Sequence, residues 1–175
     1  MLKSVDSPKT KTLTLEDLLI HGIKDIYYAE KKIYKALPKM IKAAHDDGLR
    51  QALEAHRGET EQHIAKMEQI FSLLEMPPKA QKCDAIDGIL EEADGILKDF
   101  GKSKSCDAAI IFSAQAVEHY EITRYGSMHA YAIALGMNKA AELIGSVLEQ
   151  EKAADFKLTD LAEERINHAA ETNQN

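Results

Sequence analysis

The stretch Glu118-His119-Tyr120-Glu121-Ile122-Thr123-Arg124-Tyr125 puts two carboxylates where a helical protein ordinarily places leucine. It lies within a helical pattern from about Asp107 to Leu135, which Gly136 stops. At ~100° per residue, Ile111, Ile122, Tyr125, Ala132 and Ile133 fall on one inward stripe. Glu118 sits at its centre and Glu121 one turn on at its edge. A buried carboxylate is costly unless it is protonated, paired or bound to a cation. The fold therefore depends on what the rest of the chain sets opposite this helix.

Three further helical patterns repeat the anomaly. A first long helix starts at a Thr14 N-cap, with Glu16 and Asp17 in its first turn, and runs to about Ala44. Its stripe is Leu19, Ile23, Ile26, Ile33, Leu37, Met40 and Ile41, with Glu30 near the centre and Pro38 a candidate kink. Asp46-Asp47-Gly48 reads as a helix stop. A second helix follows from about Leu49, carrying Leu53, Ile64, Met67, Ile70, Phe71 and Leu74, and ends before Pro77-Pro78. His56, Glu59 and His63 share a face there with Leu53, Thr60, Ile64 and Met67. A last long helix, from about Asn138 to Ile166, sets Glu151 and Asp155 among Ile144, Val147, Leu148, Leu158, Leu161 and Ala162.

Between the second helix and Ser105, the residues Ile86, Leu90, Ala93, Ile96 and Leu97 give the connection an amphipathic helix of its own, and Ser105 is a candidate N-cap for the helix that follows. Two hairpins joined by a long helical crossover is the connectivity of an all-α, ferritin-like four-helix bundle. Helix lengths alone would also suit cytokine-like bundles, and the inward carboxylates decide between them. Domain organisation follows: a flexible tail over 1–11, one domain over 12–168, and a short polar tail over 169–175.

Glu30, Glu59, Glu118 and Glu151 then converge from four helices, which makes sense mainly around multivalent cations. Oxygen ligands with one or two imidazoles suit iron or manganese. The spacing from Glu30 to Glu59 resembles that from Glu118 to Glu151, as if each hairpin contributes half a site, with His63 and Asp155 as the second ligand four residues on. His56 and His63 have two readings, metal ligand or imidazole satisfied by a carboxylate neighbour. His129 reads as a core or supporting histidine and Asp25, off the stripe, as an outer group; Tyr27, Tyr120 and Tyr125 read as packing residues whose hydroxyls can reach the carboxylates.

A net charge of −7 over 175 residues leaves no basic stripe for nucleic acid. No apolar run is long enough to span a membrane, and the N-terminus has no apolar leader, so a cytoplasmic protein is expected. Cys83 and Cys106 have neither a disulfide framework nor a zinc spacing.

Glu118 to Tyr125 resembles the third-helix motif of rubrerythrins, a resemblance that implies Glu118 and Glu121 as paired ligands. The pattern from about Thr14 to Asn167, including Asp25-Ile26-Tyr27-Tyr28-Ala29-Glu30, the His56–His63 segment and Glu149-Gln150-Glu151-Lys152, is more closely similar to the bacterial YciE/YciF-type ferritin-like proteins. That resemblance implies a homodimeric bundle associated with bacterial stress responses, without an established reaction. One departure stands out: ferritin-like sites usually carry Glu-x-x-His on the second and fourth helices, whereas Gln62 and Ala154 occupy those offsets here. Two iron or manganese ions per chain, about 3.5–4 Å apart, would suit peroxide or dioxygen chemistry. The alternatives are a non-enzymatic structural stress protein stiffened by metal, and a metal-free interaction module.

Overall fold

The computed structural model describes residues 12–171, and the expected N-terminal tail lies outside them. The chain is all-α: α1 (Leu15–Ala43), α2 (Asp47–Leu73), α3 (Asp84–Phe100), α4 (Cys106–Ala134), α5 (Asn138–Leu161), a π-helical turn (Ala162–Ile166) and α6 (Asn167–Glu171). Helix thus continues into the stretch read as a C-terminal tail. Among the described residues, no helix is long and apolar enough to cross a membrane.

α1, α2, α4 and α5 form the bundle, and the crossover helix α3 packs on the outside against α1 and α4. The burial pattern explains the assembly. α1 buries Leu19, Ile23, Ile26, Glu30, Ile33, Leu37 and Met40, a strict alternation of four- and three-residue steps. α2 does the same with Leu49, Leu53, His56, Thr60, His63, Met67 and Ile70. This is the a/d seam of helices packed nearly parallel, side chain into side-chain gap. In both helices the polar residues occupy seam positions midway along the helix.

Local chemistry fixes the ends. Thr14 and Asp17 form a reciprocal capping box at 3.0–3.1 Å. Between α1 and α2 the reading of Asp46-Asp47-Gly48 as a stop is corrected. Asp46 is the N-cap of α2, accepting from the Leu49 amide at 2.8 Å, and Gly48 lies inside the helix. A short carboxylate satisfies the orphan amides of a helix start better than it ends a helix. Asp107, in the first turn of α4, holds the same turn by accepting from the His45 and Asp46 amides at 2.8 and 2.9 Å. Ser105 precedes α4 without a side-chain capping bond, and α1 runs unbroken through Pro38. Gly136 takes a φ of 69° in the tight α4–α5 turn, as its position past a helix end predicts. Ile133, read as inward, is 56% exposed because it falls one residue beyond the Ala132 seam position.

Candidate metal centre

The polar seam positions meet in the middle of the bundle. Glu30 from α1, His63 from α2 and Glu151 from α5 are fully buried. His63 Nδ1 lies 2.9 Å from Glu151 Oε1 and 3.4 Å from Glu30 Oε1. About two helical turns away along α2, His56 Nε2 lies 3.3 Å from Glu118 Oε1 and its Nδ1 lies 4.0 Å from Glu151 Oε2. Glu118 and Glu121, three residues apart on α4, both face inward at 2% and 1% exposure.

Two groups of donor atoms result, each spanning less than 4.8 Å: Glu30, His63 and Glu151, and His56, Glu118, Glu121 and Glu151. Glu151 belongs to both. Each group has one imidazole with carboxylate oxygens, the hard-to-borderline donor set that suits iron or manganese.

Burial and charge explain why these residues do not satisfy one another. Four carboxylates face two imidazoles, so negative charge is left over even with both imidazoles protonated. Burial pushes Glu118 and Glu121 well above the carboxylate range, and the charges of the neighbouring carboxylates push them further; Glu30 is raised by burial against the opposing pull of His63. For the histidines, burial acts downward, but the carboxylates outweigh it and hold His56 at about 9 and His63 at about 10. Among the described residues, every buried side-chain N or O without a hydrogen-bond partner, Arg57 Nε excepted, belongs to Glu30, His56, His63, Glu118, Glu121 or Glu151. Both oxygens of Glu121 and of Glu151 are among them. Polar atoms left unmatched in a protein interior ordinarily have a partner of another kind. Converging oxygens and imidazole nitrogens fit a cation.

The other candidate residues lie around this centre. Tyr125, fully buried on α4, donates a very short hydrogen bond to Glu30 Oε1 and orients that carboxylate. Glu59 belongs to neither group: its side chain is 38% exposed, and its carboxylate lies 3.7 Å from His56 Nδ1 at the rim. Asp155 is turned toward α4, where it accepts from Gln115 Nε2 at 3.0 Å and faces His119 Nε2 at 3.3 Å. Tyr27 donates to Glu68 at 2.7 Å, away from the central carboxylates. His129 packs against α5 at Gly145. Asp25, read as lying off the stripe, is buried at 9% exposure, because α3 and its lead-in cover that side of α1. It accepts from Tyr120 at 2.8 Å, whose oxygen in turn lies 3.1 Å from Cys83 Sγ. His56 and His63 lie on the buried face of α2, which steps through Leu53, His56, Thr60, His63 and Met67.

These features define a helical bundle of two hairpins with an outer crossover helix and a histidine–carboxylate interior. Residues 14–171 match the family described as domain of unknown function DUF892, and the chain belongs to that family. It is 43% identical over 159 residues to Protein YciF of Escherichia coli (strain K12), covering 90% of this chain and 96% of that protein. The crystal structure of the E. coli stress protein YciF superposes with a TM-score of 0.84 at 42% identity, covering 89% of this chain and 99% of that one. YcfI from Rhodopseudomonas palustris, for which a structural role has been suggested, gives 0.82 at 46% identity, covering 84% and 94%.

Proposed function

We propose that this chain is a ferritin-like metal-binding protein that holds two iron or manganese ions in the bundle interior. Glu30 and His63 would hold one ion, His56, Glu118 and Glu121 the other, and Glu151 would bridge them. The observation that carries this reading is the gathering of partnerless buried polar atoms in these six residues and, among the described residues, almost nowhere else. A pair of such ions supplies Lewis acidity and reversible one-electron chemistry suited to peroxide or dioxygen. The protein's own contribution is positional. Six side chains from four helices supply the donors, leucines and isoleucines pack around them, and Tyr125 keeps the Glu30 carboxylate aimed.

The same site supports a structural role, in which the ions neutralise buried carboxylates and tie the four helices together. The complete burial of Glu30, His63 and Glu151 favours that role at their end of the site. The relationship to a stress protein fits either role, in a cytoplasmic setting. A homodimer belongs to the same reading and would cover exposed apolar side chains such as Phe112 and Phe156; sedimentation velocity reads it directly. Elemental analysis after anaerobic Fe²⁺ or Mn²⁺ loading, followed by peroxide-consumption and ferroxidase assays, tests the proposal. Bound metal with turnover supports the oxidoreductase, and bound metal without turnover supports the structural role. An absence of bound metal refutes both.

A further inference from the structure

One face of the centre is open. A cleft of about 480 Å³ runs between α2 and α5, with His56, Glu59 and Glu118 among its lining residues. Its walls carry the small side chains Ala52, Ala55, Ala153 and Ala154, which keep the two helices from sealing it. The order of charges along it is graded. Glu59 is half-exposed, His56 is 3.7 Å behind it, and Glu118 and Glu151 lie 3.3 and 4.0 Å beyond the His56 ring nitrogens. Both ring nitrogens of His56 are buried without a hydrogen-bond partner. Arg165, in the same wall, is neutralised by Asp46 at 2.7 Å, and the wall also carries Lys157 and Glu164. A second space touching His56 and Glu118 measures only about 20 Å³ and is walled by apolar side chains such as Ile33, Leu37, Leu53 and Val117. It offers nothing to a hydrated ion.

We propose that divalent cations reach the interior through the α2–α5 cleft, where Glu59 receives the ion and passes it to His56 and Glu118. The inference rests on reading the interior as a metal centre and adds the route and the transfer group. It also explains why a glutamate on the histidine-bearing face of α2 stands at the rim. There its side chain can exchange water for one ligand at a time, whereas the enclosed carboxylates cannot meet a fully hydrated ion.

The test is stopped-flow uptake of Co²⁺ by chelator-treated full-length protein, followed through the cobalt d–d bands. Glu59→Gln is compared with wild type and with Glu61→Gln, which removes an exposed charge from α2 outside the cleft. Carboxylate-focused attraction raises ion arrival rates by at least about tenfold, so Glu59→Gln should load about tenfold more slowly. Its final stoichiometry and equilibrium affinity should match wild type, and Glu61→Gln should load at the wild-type rate. Wild-type loading speed in Glu59→Gln overturns the inference. So does a lost or clearly weakened ion in that variant, which would make Glu59 a resident ligand, and so does equal slowing in Glu61→Gln. If wild type takes up no cobalt, the metal-centre reading itself fails and the route with it.

Discussion

At the scale of single residues, Glu121 isolates the cost of the polar interior. It is 1% exposed, and neither of its oxygens has a hydrogen-bond partner in the protein. Removing it strands no other group. A buried polar group left without a partner costs a fold about 1–3 kcal/mol, so Glu121→Met should melt higher than wild type when both are metal-free, while its metal capacity falls. Denaturant melts of chelated protein check the first part and metal titration the second; a variant that is less stable when metal-free contradicts the account. The protonation states predict a pH dependence with a definite sign. His56 and His63 are raised from 6.5 to about 9 and about 10, and Glu30, Glu118 and Glu121 are also raised. The folded, metal-free protein therefore holds protons that the unfolded chain has released. The carboxylate contribution starts to fade above the ordinary carboxylate range. The histidine contribution is complete below 6.5 and gone above about 10. The melting temperature of chelated protein should thus fall as pH rises, whereas the increment added by metal should grow between about pH 6 and about pH 8 because ions displace protons. A flat or rising metal-free profile would sink this assignment.

At the scale of elements, the α1–α2 turn is held from three directions. Asp46 caps α2, Asp107 of α4 accepts from two turn amides, and Arg165 of the π-helical turn binds Asp46 at 2.7 and 2.9 Å. Asp46→Ala should cost about 1–2 kcal/mol, mostly for the lost cap and less for the partly exposed ion pair. A thermal melt unchanged from wild type would mean the turn is held otherwise. This turn also shows where sequence reading stops. The helices and their crossover are legible because apolar residues recur at helical spacing, and Glu30, Glu118 and Glu151 stand out because each interrupts such a run. Aspartate and glycine serve helix starts and ends alike, so Asp46-Asp47-Gly48 reads as a stop, and only the Leu49 amide contact separates the two. Glu59 reads as a central carboxylate because it shares a helical face with Thr60 and Ile64. The buried seam of α2 instead steps through His56, Thr60 and His63, which turns Glu59 aside. Asp155 sits in register with Glu151, yet its partners Gln115 and His119 on α4 draw it off the axis. Such side-to-side competition depends on the neighbouring helix and leaves no trace in the periodicity of α5 itself.

At the scale of the whole molecule, the four long helices bring one excess of buried negative charge to a common point, and the fold has to balance it with protons or with cations. Protons suffice at low pH, and cations would add stability at neutral pH, by about 2.7 kcal/mol for each site held at a hundred times its dissociation constant. Glu151 is the residue on which both halves depend, since it alone belongs to both donor groups. The most direct measurement is therefore anaerobic Fe²⁺ titration of chelator-treated wild type and Glu151→Ala, with circular dichroism to establish that both are folded. The account predicts about two ions per chain in wild type and loss of tight binding at both positions in the variant. Wild type that binds no iron, or Glu151→Ala that binds it as wild type does, would contradict it.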